Sequence, residues 1–233
     1  MSQAGLSNLS NRIEWIEQKL LNIPKGLSIL DAGAGELPYK KYCNHLNYTS
    51  QDFGQYDGKG DNLGAQTGTW DNSKLDIVSD ITNIPVDNSS FDVVLCSEVI
   101  EHVPNPLDAL KELTRVLKKD GFIILTAPFI SATHFAPYHF CTGFSKYFYE
   151  KHLKELGFEI IELTQNGNFF ESVAQELQIL NSFAKKYTNT GLNIFERISR
   201  YVILRKLKKL SKLDSNSKEY LCYGYHVLAK KII

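Results

Sequence analysis

The chain of 233 residues is poor in cysteine, with only Cys43, Cys96, Cys141 and Cys222, and none of them forms a Cys-x-x-Cys motif. This scarcity argues against a disulfide framework or a cysteine-based zinc site, and favours reduced thiols in a cytoplasmic protein. Long apolar runs are missing too, since no stretch reaches the roughly 18 residues that a transmembrane helix needs. The first residues lack a basic start and an apolar core, so we expect no secretion signal.

Net charge is also absent, because 26 Lys and Arg residues balance 26 Asp and Glu residues. A neutral chain argues against a surface that binds nucleic acid. The balance is uneven, since residues 196–213 hold seven basic side chains and one acidic one, which gives +6 there and −6 in the rest. We expect an amphipathic helix over 196–213 whose apolar face packs on the domain, with contact to an anionic membrane surface as the alternative.

Short apolar segments typical of strands alternate with helical patterns along most of the chain. The predicted strands cover 28–30, 48–51, 75–79, 91–96, 122–126 and 158–163. The spacing of apolar residues predicts helices over 7–22, from Pro106 to Leu117, and over 143–156. This alternation predicts a mostly parallel α/β sheet with right-handed crossovers, and such sheets bind ligands at the carboxyl ends of their strands.

The segment from Asp31 to Gly35 is the most informative stretch of the chain. An apolar run ends in Asp31, Gly33 and Gly35 follow on either side of Ala34, and a helical pattern begins directly after. This order predicts a buried strand, a tight glycine turn and a helix N-terminus, which would bring backbone N–H groups close to a nucleotide-like ligand. Asp31 could contact that ligand or cap the helix.

Further acids stand where the next predicted strands end. Asp52 ends the second strand, beside Phe53, and an acid at this place can accept hydrogen bonds from ribose hydroxyls. Asp80 and Ile81 follow the third strand, where a carboxylate could hold an exocyclic amine and Ile81 could offer an N–H and an apolar face to a purine. Each acid alone could be a turn residue, but their order favours a nucleotide cofactor.

The fourth predicted strand runs into a distinctive element, Ser97-Glu98-Val99-Ile100-Glu101-His102. With it, residues 27–163 and a last strand near 221–229 resemble the class I S-adenosylmethionine-dependent methyltransferases, in particular the methyltransferase type 11-like family. The resemblance implies a Rossmann-like, doubly wound sheet of seven strands, the last one antiparallel, with helices on both faces and a helical insertion before the last strand.

The same resemblance implies S-adenosyl-L-methionine as the cofactor and gives each motif a place around it. Gly33 and Gly35 would line the methionine part, and Asp52 would hold the ribose. Asp80 and Ile81 would frame the adenine, and Ser97 and Glu98 would form a wall on the methionine side.

One departure from the family pattern is Leu37, which stands where a third glycine is usual and which we interpret as a change in packing. The form Gly-x-Gly-x-x-Pro-Tyr-Lys resembles a branch linked to cell-surface polysaccharide and small-metabolite synthesis. An NAD(P)-dependent Rossmann oxidoreductase is the main rival, but it prefers the full three-glycine loop and lacks the Ser-Glu-Val-Ile-Glu-His element. A non-catalytic module that binds S-adenosylmethionine is a second alternative.

An aromatic, histidine-rich segment follows the fifth predicted strand and should form the acceptor pocket. His139 or His134, with Tyr138 between them, could act on the acceptor, and a histidine is a suitable base near neutral pH if a hydroxyl must lose a proton. Positioning alone could also carry the reaction. We interpret His102 as a structural residue, and no metal-ligand spacing is evident, so we expect no metal. The expected reaction is O-methylation of a small molecule or saccharide.

The domain organisation is predicted to be simple. We expect a single domain over 1–233, with an N-terminal helix within 1–24 that packs on the sheet. A helical insertion over 166–220 could cover the acceptor pocket as a lid. The segment 54–74 is polar and rich in Gly, Asp and Asn, so we expect a long loop beside the cleft.

Overall fold

The computed structural model describes residues 4–233, so the first three residues of the predicted segment 1–24 lie outside the described part. The chain folds as two compact units. One contains the chain up to residue 13 together with residues 165–223, and the other contains residues 14–164 and 224–233. Among the described residues, no helix is long and apolar enough to cross a membrane.

The secondary-structure elements follow the predicted alternation. The helices are α1 (Asn8–Leu21), α2 (Pro106–Val116), α3 (Lys146–Glu155), α4 (Phe169–Thr188) and α5 (Ile194–Lys212). The strands are β1 (Ser28–Ala32), β2 (Asn47–Asp52), β3 (Ile77–Val78), β4 (Phe91–Ser97), β5 (Leu117–Pro128), β6 (Phe158–Asn166) and β7 (Gly224–Lys231). Short 3-10 helices cover Lys40–Tyr42, Ile100–His102 and Ser217–Glu219.

The seven strands form one sheet in the order β3-β2-β1-β4-β5-β7-β6. β1 pairs in parallel with β2 and β4, and β7 runs antiparallel to β5, which confirms the predicted Rossmann-like fold. β1 is covered on both faces, and its residues Ile29 and Leu30 are fully buried. The order reverses beside β1, so the carboxyl ends of β1, β2 and β4 border the crevice where such sheets bind ligands.

The segment after the glycine loop differs from the prediction. No α-helix begins there, and the chain instead makes the short 3-10 helix Lys40–Tyr42. Gly33, Gly35 and Leu37 all have positive φ, and a chain that alternates into the left-handed region cannot enter a right-handed helix. Asp31 therefore has no helix to cap, and its carboxylate accepts a hydrogen bond from the Tyr48 hydroxyl instead.

The second helix also ends earlier than predicted, at Val116. Leu117 belongs to β5 and pairs with Phe91, and Lys118 lies in the same strand, where its ammonium contacts Asp92 at 2.8 Å. Leu117 is apolar enough to suit either the helix or the strand, and its pairing with β4 decides the outcome. The third helix begins at Lys146, later than the predicted 143.

The smaller unit contains the predicted helical insertion, whose helices are α4 and α5. A small apolar core is formed by Ala4, Ala174 and Leu204, with Leu177 and Leu207 packed against it. The N-terminus of α5 carries a capping box, in which the side chains of Asn193 and Glu196 each accept from the other's backbone N–H. This pairing fixes where α5 begins.

Candidate functional site

The glycine loop after β1 is tied to the end of β2 by its own backbone. The N–H groups of Gly33 and Ala34 both donate to the Gln51 carbonyl, over 2.8 and 2.9 Å. The N–H of Gly35 donates to Asp52 Oδ2 over 3.1 Å. These are the N–H groups that the sequence placed near a ligand, and the structure gives each of them a partner within the protein. The loop is therefore held in shape before any ligand binds.

Both glycines allow a close approach by a side chain. A Cβ on Gly33, where φ is +75°, would lie 2.3 Å from Val99 Cγ2. A Cβ on Gly35, where φ is +50°, would lie 2.5 Å from Trp70 Cζ2. Leu37, at the place of the missing third glycine, has a φ of 61°. That position therefore needs a left-handed backbone, which is a more specific demand than the packing change expected from the sequence.

Two buried acids stand beside this loop. Burial is the main cause that raises the pKa of Asp31 to about 7, with the Tyr48 hydrogen bond opposing it and the charge of Asp52 adding to it. Burial also raises the pKa of Asp52, against hydrogen bonds from the N–H groups of Gly54 and Gly35. Neither the shift of Asp31 nor that of Asp52 has a lysine or arginine among its causes. A ligand with positive charge and hydroxyl donors would therefore stabilise the ionised forms of both acids.

Asp80 and Ile81 lie after β3, next to the end of β2. The backbone connects the two places, because the Ser79 N–H donates to the Asp52 carbonyl over 3.0 Å. Asp80 is exposed, and its Oδ1 accepts from both the N–H and the hydroxyl of Thr82 at 2.8 Å. The side chain of Ile81 is buried. Asp80 is therefore a turn residue, which was the alternative to a cofactor contact in the sequence analysis. Only its Oδ1 takes part in that turn, and its Oδ2 does not.

A chain of hydrogen bonds joins the ends of β4 and β5. The Ser97 hydroxyl lies 3.0 Å from the Thr126 hydroxyl and 3.2 Å from the Tyr39 hydroxyl. Thr126 in turn donates to Glu98 Oε1 over 3.0 Å. Glu98 has a φ of 56°, which is uncommon for a residue other than glycine and occurs often at functional sites. Neither Tyr39 nor Thr126 was predicted to bond to Ser97 or Glu98.

The long segment 54–74 forms no helix or strand, and it pairs with the loop that follows β5. This loop, residues 129–145, is the predicted acceptor loop. The Ala65 N–H donates to the Thr133 carbonyl, and the Phe135 N–H donates to the Ala65 carbonyl, each over 3.0 Å. The Phe135 ring contacts Tyr56 and Trp70, with centroids 4.5 and 5.3 Å away. Trp70 therefore touches both the glycine loop and the predicted acceptor loop, and a tryptophan in a polar segment was the signal for this role.

His102, His134 and His139 come together in one cluster. Their ring centroids are 4.6, 4.8 and 5.9 Å apart. Burial, followed by the nearby His134, lowers the pKa of His102 to about 4, and the same two causes lower the pKa of His139. His102 and His139 are therefore neutral imidazoles near pH 7. His102, which the sequence assigned to a structural role, is part of the same group as the predicted catalytic histidines.

Tyr138 connects this cluster to the candidate cofactor site. Its ring packs edge-on against the ring of Phe53, with centroids 4.9 Å apart. Its carbonyl accepts a hydrogen bond from Nδ1 of His102. Since Phe53 directly follows Asp52, the predicted acceptor loop and the end of β2 are neighbours.

Comparison with known proteins adds a family and a set of relatives. Residues 30–125 match a family model described as a methyltransferase domain. The sarcosine/dimethylglycine N-methyltransferase of Aphanothece halophytica is 25% identical over 186 residues, which are 69% of this chain and 63% of that protein. A ubiquinone biosynthesis O-methyltransferase of Glaesserella parasuis serovar 5 (strain SH0165) is 40% identical over 40 residues, 17% of each chain.

A solved structure shares the fold. Phosphoethanolamine N-methyltransferase 2 of Haemonchus contortus, in complex with S-adenosyl-L-methionine, has a TM-score of 0.53 and 16% identity. The match covers 95% of this chain and 52% of that one.

The extent of these matches limits what they say about the acceptor. This chain spans less than two thirds of the length of the N-methyltransferase from Aphanothece halophytica. The family match contains the predicted cofactor residues from Asp31 to Glu98, and it ends before the loop with His134, Tyr138 and His139. The relatives differ in the atom that their names say is methylated, which is nitrogen in one and oxygen in another.

Proposed function

We propose, since this chain carries a class I S-adenosylmethionine-dependent methyltransferase domain, that it transfers a methyl group to an oxygen of a small molecule or saccharide. When bound, the cofactor would supply a methyl group on a sulfonium, and its sulfur would leave as the neutral thioether of S-adenosylhomocysteine. The protein's part is to hold donor and acceptor in line, to exclude water and to manage the acceptor's proton.

The buried acids beside the glycine loop support the fit of this cofactor. S-adenosylmethionine carries positive charge on its sulfonium and amino groups and has ribose hydroxyls, and each of these stabilises an ionised carboxylate. We propose that the positive charge of the cofactor stabilises the ionised form of Asp31, and that Asp52 accepts hydrogen bonds from the ribose hydroxyls. We further propose that Gly33, Ala34, Gly35 and Phe53 line the cofactor, with Asp80 and Ile81 at the adenine and Ser97 and Glu98 at the methionine side.

The same acids argue against the dinucleotide alternative. A pyrophosphate needs free N–H donors at the glycine loop, but the Gly35 N–H already donates to the carboxylate of Asp52. Two buried acids beside the loop would also repel the phosphate charges. A non-catalytic binding module remains an outcome of the activity test.

The observation that carries the acceptor assignment is the contact between Phe53 and Tyr138, because it joins the end of β2 to the histidine-rich loop. We propose that His134, Tyr138 and His139 contact the acceptor. A hydroxyl must lose its proton when it is methylated, and a neutral imidazole is a suitable group to take it. Methylation of an amine or a carbon is the lesser alternative.

For α5 we propose contact with an anionic membrane surface. In α5 the side chain of Leu204 is buried, whereas large apolar residues such as Phe195 and Val202 are exposed beside the basic residues. Exposed apolar groups next to lysines are typical of interfacial helices. Such contact would suit an acceptor linked to a lipid. We also propose that the insertion over 166–220 acts as a lid within a single functional domain, in the cytoplasm.

The test is a transfer assay with S-adenosylmethionine labelled on its methyl group. We expect labelled product with hydroxyl-bearing acceptors, saccharides first, and little or none with the Asp52→Asn variant at low cofactor concentration. Cofactor binding without transfer to any sugar, phenol or amine would support the non-catalytic module instead.

A further inference from the structure

The histidine cluster has a property that methyl transfer does not require. Each of His102, His134 and His139 offers one ring nitrogen, and these three atoms all lie within 4.8 Å of one another. We propose that this cluster binds one divalent transition-metal ion, with zinc as the expected ion. In a tetrahedral site with metal–nitrogen bonds of about 2.1 Å, ligand atoms are about 3.4 Å apart, so small ring rotations would bring these nitrogens to bonding distance.

The hydrogen bonds of two of these histidines orient them as metal ligands. His102 Nδ1 bonds to the Tyr138 carbonyl, and His134 Nδ1 bonds to the Ala132 carbonyl over 2.9 Å. A carbonyl can only accept, so the neutral form of each ring carries its proton on Nδ1 and its lone pair on Nε2. A histidine that binds a metal through one nitrogen and donates from the other to a carbonyl is the usual arrangement at metal sites.

The third histidine lacks such partners. Both ring nitrogens of His139 are buried, and neither has a hydrogen-bond partner among residues 4–233. A buried polar atom without a partner is unfavourable, and most such atoms in native proteins have an explanation. If one nitrogen of His139 coordinated an ion, only the other nitrogen would remain buried without a partner.

The surroundings of the cluster suit a cation. The fully buried side chain of Glu101 places Oε1 3.7 Å from His102 Nε2, so an acidic group lies at the edge of the cluster. The Phe140 and Cys141 N–H groups both donate to the Glu101 carbonyl over 3.0 Å, which ties the acceptor loop to the segment that carries His102.

Ligand chemistry narrows the choice of ion. Neutral imidazoles suit zinc, copper, iron and nickel, whereas magnesium and calcium prefer oxygen ligands. Three histidines fill three positions of a tetrahedral zinc site and leave one for water or for an oxygen of the acceptor. This proposal rests on the proposed function and refines it: imidazoles bound to an ion have no lone pair left for the acceptor's proton, so the ion would lower the pKa of the bound hydroxyl instead. Ion binding itself can be measured whether or not methyl transfer takes place.

The test uses Co²⁺ as a probe for the zinc site in the full chain after treatment with a chelator. We expect one Co²⁺ per chain, with a visible absorption band that Zn²⁺ abolishes when it displaces the cobalt. In the double variant His134→Ala/His139→Ala, we expect the Co²⁺ affinity to fall at least about tenfold. His152→Ala is the matched control, because His152 lies on α3, contacts Glu155 and is not part of the cluster, so the affinity should stay unchanged.

Two results would overturn the proposal. One is a wild-type protein that takes up no stoichiometric Co²⁺, and this result needs no variant. The other is a double variant that still binds Co²⁺ like the wild type, which would place the ion elsewhere. Titration of the same samples with S-adenosylhomocysteine shows whether the variant is folded, and a failure of cofactor binding in the wild type would count against the proposed function and not against the ion site.

Discussion

Gly35 and Asp52 are joined by a hydrogen bond of 3.1 Å from the Gly35 N–H to Asp52 Oδ2, and the other oxygen of Asp52 accepts from the Gly54 N–H over 2.9 Å. One carboxylate therefore holds the glycine loop after β1 and the start of the long loop after β2. Any ligand that binds to this acid also acts on both loops. The proposed cofactor site is built around this link.

Asp52→Asn should weaken the binding of S-adenosylhomocysteine by about 1–3 kcal/mol, because an amide offers one acceptor oxygen where the carboxylate offers two. Isothermal titration calorimetry measures the change. Asp120→Asn is the matched control, since Asp120 is exposed, pairs with Lys230 and should leave the affinity unchanged. Equal affinities for Asp52→Asn and the wild type would remove Asp52 from the site.

Gly35→Ala should lower the free energy of unfolding more than Gly26→Ala does. Both glycines have positive φ, so both variants strain the backbone, but only at Gly35 would the new Cβ meet a ring, that of Trp70. Gly26 has no atom within 4 Å of that position. Urea denaturation should show the difference, and a second change, Trp70→Ala, should reduce it. Equal losses in the two single variants would mean that the Trp70 contact does not constrain the loop.

Asp31 should make stability depend on pH in a defined direction. Its pKa is raised by burial to about 7, so between about pH 4 and 7 the folded protein keeps a proton that the unfolded chain has lost. The contribution of Asp31 to the free energy of unfolding therefore falls as pH rises through this window, by up to roughly 1.4 kcal/mol per pH unit.

Asp31→Asn removes this ionisation, so denaturation curves across the window should show the variant gaining stability relative to the wild type as pH rises. A difference that does not change with pH would contradict the assignment. Near pH 7, a cationic cofactor should also release a proton from Asp31 in the wild type, which calorimetry in buffers of different ionisation enthalpy detects.

Charge reversal on α5 should weaken its attraction to membranes. Lys206 and Lys209 are exposed, and each lysine near an anionic surface contributes about 1 kcal/mol, so Lys206→Glu/Lys209→Glu should reduce vesicle binding at least about tenfold. Co-sedimentation with anionic vesicles at low salt measures this. Lys151→Glu/Lys154→Glu on α3 gives the same net charge and should bind like the wild type. If the wild type fails to sediment with the vesicles, the membrane proposal is wrong.

Much of the fold could be predicted from the sequence because its signals are local. The strands are apolar and short, and the order of glycine loop, Asp52, Asp80 and the Ser97 element matched the class I methyltransferase family. The fold is confirmed, and the match of residues 30–125 to a methyltransferase-domain model agrees with the predicted family. The errors came from competing local preferences, as at Leu117, where pairing with β4 overrode a helical pattern.

The histidine cluster shows why other features could not be predicted. His102 is separated from His134 and His139 by a helix and a strand, so no spacing in the sequence indicates that the three would meet. Their approach depends on how the long loop 54–74 pairs with the loop after β5, for example at the bridge between Ala65 and His134. Such loop pairing has no periodic pattern. The identity of the acceptor is even harder to predict from the sequence, because the family match ends before this loop begins.

The most direct test of the central claim is calorimetric titration of the purified protein with S-adenosylhomocysteine, with NADH as a parallel titration. The account predicts binding of S-adenosylhomocysteine in the micromolar range, loss of affinity in Asp52→Asn, and no heat from NADH. Binding of NADH alone by a folded protein, or of neither ligand, would contradict the cofactor site at Gly33, Gly35 and Asp52.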